Sequence, residues 1–221
     1  MITLDIISDP ICPWCYIGKA NLDEAIARTG ENPFDINWRI FQLNPDMPPA
    51  GADRREYLET KFGGPDRAKE IYGRIRGAAE EAGLAVNFDL IARTPNTMDA
   101  HRLIRWSKTT GMQTALVQQL FIRYFERGED ISDHAVLLDA AEAIGMERTV
   151  VQRLLEGDAD RDVLQEEDVT AREMGVGGVP CFIVGGKYVV QGAQPPETWV
   201  RVIEELVASQ SDEAQEQAKA D

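Results

Sequence analysis

The sequence predicts an α/β protein in which a small sheet is interrupted by a large all-helical insertion. Strand-like and helix-like segments follow in the order βαβ at the start and αββα at the end of the 221 residues. Between them, residues 53–171 show helical patterns separated by glycines and no confident strand. Because neither end is long enough to bury a sheet face alone, we expect the two ends to form one sheet together.

The first piece, residues 1–45, predicts a strand, a helix and a second strand. Residues 2–8 form a mostly apolar stretch, and a helical pattern runs from Pro13 to about Arg28. Residues 34–40 then alternate between apolar and polar side chains, the period of two that is typical of a strand.

The insertion, residues 46–164, is predicted to be a series of helices. Glycines separate the segments, and side chains suited to N-caps precede several of them. The expected helices, the last of which continues past the insertion, span residues 53–62, 66–82, 97–109, 112–127, 133–144, 147–156 and 160–174. Aromatic residues at helical spacing are expected in its core: Phe62, Tyr72, Phe121, Tyr124 and Phe125.

The last piece, residues 165–208, predicts the remainder of the sheet. Two short strand-like runs, 181–184 and 187–191, are joined by a Gly-Gly turn, which is a strong hairpin signal. A final helix begins near Pro195. Residues 209–221 are polar and acidic, and we expect them to form a solvated tail.

Composition excludes several classes of protein. A hydrophobic content of 43% is too high for a disordered chain, and no apolar run approaches the roughly 18–20 residues that span a bilayer. The net charge of −15 argues against nucleic acid and anionic membranes as partners, because phosphate contacts need clustered Lys and Arg. The chain opens directly into a strand and shows no signal-peptide pattern, so we expect a cytoplasmic protein.

The motif Cys12-Pro13-Trp14-Cys15 stands where the first strand gives way to the first helix. Residues i and i+3 of a helical turn lie about 5–6 Å apart, a separation that a disulfide tolerates. Pro13 suits the first helical position and leaves Cys12 at the N-cap, where unpaired N–H groups and the helix dipole favour the thiolate. Cys15, one turn further, is placed to resolve a mixed disulfide. The motif therefore predicts a redox-active dithiol.

A zinc site is the main alternative for a CxxC motif. Zinc needs about four ligands, usually a second CxxC or a spaced histidine pair. Beyond the motif, only Cys181, His101 and His134 remain, and they form no paired motif. We therefore expect no metal. In a reducing cytosol a disulfide is normally transient and catalytic, which also favours the redox interpretation.

Three strings of sequence carry a resemblance to a known family. They are CPWCYIGK at residues 12–19, FQLNP at 41–45 and NTMDAHR at 96–102. Together with the Gly-Val-Pro before the late hairpin and the helical insertion, they resemble the DsbA-like thiol–disulfide oxidoreductases, and among these the FrnE-type branch. The resemblance implies a thioredoxin-like fold with a large all-helical insertion, and it extends to about residue 207.

The resemblance also implies roles for individual residues. Cys12 would be the exposed nucleophile and Cys15 the resolving thiol. The Val179–Pro180 bond would be cis and would present the Val179 backbone to an extended substrate beside the sulfur. Pro13 and Trp14 would contact the substrate, with Trp14 and Tyr16 forming an apolar lip around the disulfide.

Two departures from that family bear on the chemistry. Related strands often carry a buried acid six residues before the first cysteine, whereas here the position is Ile6, which leaves water or Asp9 to accept the proton of Cys15. Strongly oxidising members carry Pro-His between the cysteines. Trp14 offers only bulk and an indole N–H, so we expect a less stabilised Cys12 thiolate than in those enzymes.

Three further residues have open interpretations. Cys181 follows Pro180 directly and is either an auxiliary redox thiol or, as we favour, a small apolar residue in a buried strand. His101 and Arg102 are either substrate-binding residues, with Arg102 offering its guanidinium to an acidic ligand such as glutathione, or a surface and capping pair.

Two functions remain open. The first is thiol–disulfide exchange with protein or small-molecule substrates, in the direction of reduction or isomerisation, with no bound cofactor beyond the redox-active disulfide and glutathione as a candidate co-substrate. The second is a glutathione-dependent transferase or isomerase of the kappa or 2-hydroxychromene-2-carboxylate type. Those relatives typically carry serine at the first cysteine, so Cys12 favours the first function. The chain could act as a monomer or a homodimer.

Overall fold

The computed structural model describes the backbone of residues 1–220 and the side chains of residues 1–209. Its strands are β1 (Ile2–Ser8), β2 (Phe34–Ile40), β3 (Ala52–Asp53), β4 (Arg93–Thr94), β5 (Cys181–Val184) and β6 (Tyr188–Gln191). Its α-helices are α1 (Pro13–Thr29), α2 (Arg54–Phe62), α3 (Pro65–Glu81), α4 (Met98–Ser107), α5 (Gln113–Phe121), α6 (His134–Ala143), α7 (Arg148–Glu156), α8 (Arg161–Glu173) and α9 (Pro196–Ala220).

The two ends of the chain form one four-stranded sheet, as the sequence predicts. Its strand order is β2-β1-β5-β6. Strand β1 pairs in parallel with β2, with Ile2 opposite Phe34, and antiparallel with β5, with Ile7 opposite Cys181. Strands β5 and β6 form the expected hairpin. The sheet is therefore mixed, and β1 lies at its centre, directly before the CPWC motif.

The two faces of the sheet bury different sets of side chains. Leu4, Ile6 and Phe182 belong to the large hydrophobic core, which also contains Trp199 of α9. Ile7 and Cys181 belong to a smaller cluster with Phe41, Ala171 and Val176 on the side of α8. Because successive strand residues point to opposite faces, the direction of each side chain follows from its position in the strand.

The insertion packs on the first core and contains one pairing that the sequence does not predict. Strands β3 and β4 form a two-residue antiparallel ladder, with Ala52 opposite Thr94. Two residues are too few to produce a periodic pattern, which explains why residues 53–171 show no strand signal. The ladder fixes the start of α2, since the N–H of Arg54 donates to the carbonyl of Ala92 over 3.1 Å.

The expected boundaries hold for most helices, and two segments differ from the prediction. The segment predicted over 112–127 is α-helical only to Phe121 and continues as a π-helical turn over Ile122–Glu126. Helix α9 continues to Ala220, through most of the segment 209–221 expected to be a solvated tail. The solvation of that segment's side chains lies outside the described residues. The division of the chain at residues 45 and 164 stays a prediction.

None of the helices within residues 1–220 combines the length and apolar character needed to cross a membrane.

Candidate active site

Cys12 occupies the N-cap of α1, as the position of Pro13 predicts. Its backbone is extended, with φ −87° and ψ 113°, and Pro13 stands in the first helical turn, where its missing N–H leaves no bond unmade. The carbonyl of Cys12 accepts the N–H of Cys15 at 3.0 Å. The side chain of Cys12 makes no capping hydrogen bond, and the residue stands directly before the first turn of α1.

The two thiols of the motif are neighbours and influence each other's charge. All three cysteines are free thiols in this structure. Burial, followed by the hydrogen bond and the charge of the Cys12 sulfur, raises the pKa of Cys15 well above its ordinary value. Cys15 is 1% exposed. It therefore stays protonated while Cys12 reacts, and it must lose its proton before it can act as the resolving nucleophile.

The loop before β5 lies directly against Cys12. The Val179–Pro180 peptide bond is cis, in agreement with what the family resemblance implies. The Cys12 thiol donates to the carbonyl oxygen of Val179, with a sulfur–oxygen distance of 3.4 Å. Helix α1 approaches the loop closely at Gly18, where a β-carbon would lie 3.1 Å from Cγ of Pro180 and 3.3 Å from Cζ of Phe182. Glycine at this position therefore allows α1 to pack closely against the loop that contains Pro180.

Cys12 lines a cavity of about 270 Å³ instead of lying on an open surface. The expectation of an exposed nucleophile is corrected, because Cys12 is only 4% exposed. Helices α2 and α3 of the insertion form the opposite wall through residues such as Leu58, Phe62 and Ile75. Pro13, Trp14 and Val179 line the cavity together with Cys12, so the structure brings these four predicted residues together.

The two aromatic residues expected at the lip have different positions. Trp14 is 40% exposed and stands at the cavity, whereas Tyr16 is 2% exposed and corrects that expectation. The Tyr16 ring stacks on Phe121 with centroids 4.9 Å apart. Its hydroxyl donates to Oε1 of Glu126 at 2.6 Å, and burial together with this carboxylate raises the pKa of Tyr16. Tyr16 therefore anchors α1 to the insertion.

A buried carboxylate lies behind the cysteines. Asp9 is fully buried and accepts the N–H of Leu43 at 2.7 Å and that of Ile11 at 3.3 Å. Its negative charge acts on the Cys15 thiol. The Nε2 atom of His101 is 3.7 Å from Oδ1 of Asp9 and has no hydrogen-bond partner. His101, 3% exposed, thus lies behind Asp9 instead of among the described residues that line the cavity.

Arg102 does not reach the site. Its side chain is fully buried, and it donates to the carbonyls of Ala159, Leu154 and Gly157 and to the carboxylate of Asp99. With these acceptors engaged, the guanidinium has no face left for an acidic ligand. The hypothesis that Arg102 binds substrate is corrected: the residue ties α4 to the end of α7 and the turn after it.

Cys181 points away from the CPWC motif. It lies one residue after Pro180, but its thiol is in the cluster of Ile7, Phe41 and Val176, on the opposite face of the sheet from Cys12. Burial raises the pKa of Cys181 above its ordinary value, which disfavours the reactive thiolate. The position of Cys181 therefore does not support a role as an auxiliary redox thiol.

We expect Cys181→Ala to leave the rate of disulfide exchange unchanged. In the native reduced protein iodoacetamide should modify Cys181 far more slowly than in the urea-unfolded protein. The folded protein should remain slower at every pH below the raised pKa of Cys181, because only the thiolate is alkylated. Peptide mass spectrometry after timed alkylation measures both rates. Modification of Cys181 as fast in the folded as in the unfolded protein would contradict this position for the thiol.

Some residues of the cavity were not singled out by the sequence. Arg54 and Tyr124 line it, as does Tyr72, although the sequence placed both aromatic residues only in the core of the insertion. Arg54 stands in the polar run Asp53-Arg54-Arg55-Glu56, which is typical of an exposed helix start. Nothing in that pattern indicates a buried arginine. Within the described part of the chain, no group of three His, Cys, Asp or Glu side chains is arranged to hold a metal ion.

Comparison with known proteins agrees with this fold. The family profile of the DSBA-like thioredoxin domain matches residues 3–204. The chain belongs to this family. A solved structure described as a probable DsbA oxidoreductase, SCO1869 from Streptomyces coelicolor, superposes with a TM-score of 0.83 at 27% identity, covering 93% of this chain and 89% of that one.

Two more distant structures share the fold. The cytosolic disulfide reductase DsbM from Pseudomonas aeruginosa, solved with GSH, has a TM-score of 0.66 at 18% identity and covers 93% of this chain and 99% of its own. A 2-hydroxychromene-2-carboxylate isomerase has a TM-score of 0.66 at 15% identity, with 99% of both chains covered. At these identities the likeness concerns architecture. The DSBA-like fold thus occurs in relatives named for disulfide chemistry and in one named for isomerisation.

Proposed function

We propose that this member of the DSBA-like family is a thiol–disulfide oxidoreductase that works through Cys12 and Cys15. The observation that carries the proposal is the pair of neighbouring free thiols at the start of α1, one of which donates to the carbonyl of Val179 and lines a cavity. A nucleophilic thiol at a helix N-terminus with a second thiol within reach is the arrangement that disulfide exchange requires.

The exchange proceeds in two balanced steps. The Cys12 thiolate attacks one sulfur of a substrate disulfide, which forms a mixed disulfide and releases the first substrate thiolate. Cys15 then loses its proton and attacks the Cys12 sulfur, which releases the second thiolate and leaves the Cys12–Cys15 disulfide. Asp9, buried beside Cys15, is the proton acceptor that we propose for the second step. The reverse sequence oxidises a dithiol, and an external thiol such as glutathione restores the reduced protein.

The second function, glutathione-dependent isomerisation, needs only one reactive group at the start of α1. The presence of Cys15 next to Cys12 favours redox chemistry, because an isomerase has no use for a resolving thiol. We propose that the protein reduces or isomerises disulfides in the cytoplasm. The reason is that disulfides in a reducing cytosol are normally transient and catalytic.

The reduction potential of the Cys12–Cys15 pair tests the proposed function. We expect a reversible disulfide with a potential between about −120 and −270 mV, the range of catalytic oxidoreductases. Equilibration in glutathione buffers of graded ratio, acid quenching and mass spectrometry give the value. The Cys181→Ala protein serves as control, since its remaining thiols are only these two. Failure to form this disulfide at any glutathione ratio would exclude the redox function.

A further inference from the structure

The cavity above Cys12 has a charge opposite to that of the protein as a whole. The chain carries 38 acidic and 23 basic residues, for a net charge of −15. Yet among the described residues that line the cavity, Arg54 and Lys61 are charged and no aspartate or glutamate is present. A positively charged site concentrates anionic ligands, even when the protein as a whole is negatively charged. The lining therefore favours an anion beside the nucleophilic sulfur.

Arg54 is the more informative of the two cations. It is 6% exposed, and its Nη1 and Nη2 atoms donate to the hydroxyls of Tyr124 at 2.9 Å and Tyr72 at 3.0 Å. The guanidinium carbon lies 5.1 Å from the ring centroid of Tyr72 and 5.8 Å from that of Tyr124. Both side-chain hydrogen bonds of Arg54 go to tyrosine hydroxyls, and none of the ion pairs among the described residues includes Arg54. A buried charge without a counterion is costly, so such a position indicates a ligand that supplies one.

The position of Arg54 relative to Cys12 defines the geometry of the ligand. Both residues line the same cavity of about 270 Å³, and both act electrostatically on the Tyr72 hydroxyl. Arg54 also lines the adjoining cavity of about 700 Å³ between α2 and α3, together with Leu58 and Tyr72. A ligand that places a sulfur at Cys12 can thus place an acidic group at Arg54. Lys61 stands exposed at the outer end of α2 and can attract a second acidic group.

The recessed sulfur limits the size of the ligand. Cys12 is 4% exposed, and α2 and α3 cover it on the side of the insertion. In this conformation a folded protein cannot bring a disulfide to the base of the cavity, whereas a small molecule can enter it. The apolar part of the lining, which includes Ile11, Leu43 and Phe62, suits the carbon chain between the sulfur and the acidic group.

We propose that the cavity is a binding site for small anionic disulfides and thiols, in which Arg54 binds a carboxylate of the ligand while its sulfur reacts with Cys12. The proposal rests on the function proposed above and specifies its substrate class. Cys12 displaces one carboxylate-bearing thiolate from the disulfide, Cys15 displaces the other, and two protein thiols are oxidised as one small disulfide is reduced to two thiols.

Three small disulfides that differ in charge test the proposal: dithiodipropionate (anionic), hydroxyethyl disulfide (neutral) and cystamine (cationic). The rate at which each oxidises the reduced protein is followed by acid quenching and mass spectrometry. Each rate is divided by the rate at which dithiothreitol reacts with the same disulfide, which removes differences in intrinsic reactivity. We expect the normalised rate with dithiodipropionate to exceed that with hydroxyethyl disulfide by about tenfold and that with cystamine by more.

Substitutions assign the preference to the cavity. Arg54→Gln should remove most of the preference for dithiodipropionate, because the rate with this anionic disulfide should fall far more than the rate with neutral hydroxyethyl disulfide. Because Arg54→Gln also removes two hydrogen bonds of a buried side chain, Lys61→Gln provides a second test at an exposed position, with a smaller loss expected. Arg74→Gln is the matched control: it removes one positive charge from a side chain of α3 that is 75% exposed and paired with Glu70.

Each outcome bears on one proposal. Equal normalised rates for the three disulfides in the unchanged protein would overturn the anionic site. So would a loss of rate that is equal for all three disulfides in both Arg54→Gln and Lys61→Gln. Either result would leave the proposal of disulfide exchange intact. If Arg74→Gln reduced the preference for dithiodipropionate as much as Lys61→Gln, the preference would come from the net charge of the protein. That result would overturn the role of the cavity. Absence of a Cys12–Cys15 disulfide with every reagent would instead overturn the proposed function.

Discussion

Replacement of Cys15 with serine is expected to slow catalytic turnover strongly and to accumulate substrate on Cys12 as a mixed disulfide. The first exchange step needs only the Cys12 sulfur at the start of α1, so the mixed disulfide still forms. The second step has lost its nucleophile, because a serine hydroxyl does not displace a thiolate from a disulfide. Turnover of a small disulfide should fall strongly, because only an external thiol is then left to attack the mixed disulfide on Cys12. Intact-protein mass spectrometry should show one substrate thiol added per chain.

Two companion variants make this result interpretable. Cys12→Ser should form no adduct at all, since Cys15 is 1% exposed and its raised pKa keeps it protonated. Cys181→Ser, a cysteine-to-serine change on the other face of the sheet, should turn over like the unchanged protein. Continued glutathione-dependent conversion of a small aromatic substrate by Cys15→Ser, without an adduct, would instead support the isomerase function.

Replacement of Arg102 with methionine is expected to lower the free energy of unfolding by roughly 3–5 kcal/mol, the typical cost of removing one partner from a buried charged network. Methionine fills much of the same volume but donates no hydrogen bond. The carbonyls of Leu154, Gly157 and Ala159 would lose their donor while remaining covered by protein. Urea denaturation of the reduced protein, followed by tryptophan fluorescence, measures the change.

The matched control lies one turn further along α4. Arg105 is 37% exposed and pairs with Asp160 and Glu167, so Arg105→Met should cost about 1 kcal/mol or less. The reduction potential of the Cys12–Cys15 pair should be the same in both variants, because neither arginine is among the described residues that line the cavity. If Arg102→Met left stability unchanged but weakened the binding of an acidic disulfide, the residue would be a ligand after all.

The elements of the fold could be predicted because their signals are local. The alternation of Phe34, Ile36 and Trp38 specifies β2, and Pro13 after Cys12 specifies the start of α1, which the structure places at these residues. The β3–β4 ladder was missed for the same reason, since a pairing of two residues leaves no pattern in either segment. The π-helical turn after Phe121 likewise differs from an α-helix only in its hydrogen bonding.

The sequence by itself determined the order of the elements, the dithiol at the start of the first helix and the membership of the family that these features indicate. Only the tertiary structure decided which side chains surround the dithiol. Arg102 meets acceptors 52–57 residues away and becomes a structural tie, while Arg54, in an equally polar run, is enclosed beside Cys12 by Tyr72 and Tyr124. Local patterns fix strands and helices because backbone preferences act over a few residues. The burial of a charge depends on partners distant in sequence, so only the packed chain reveals it.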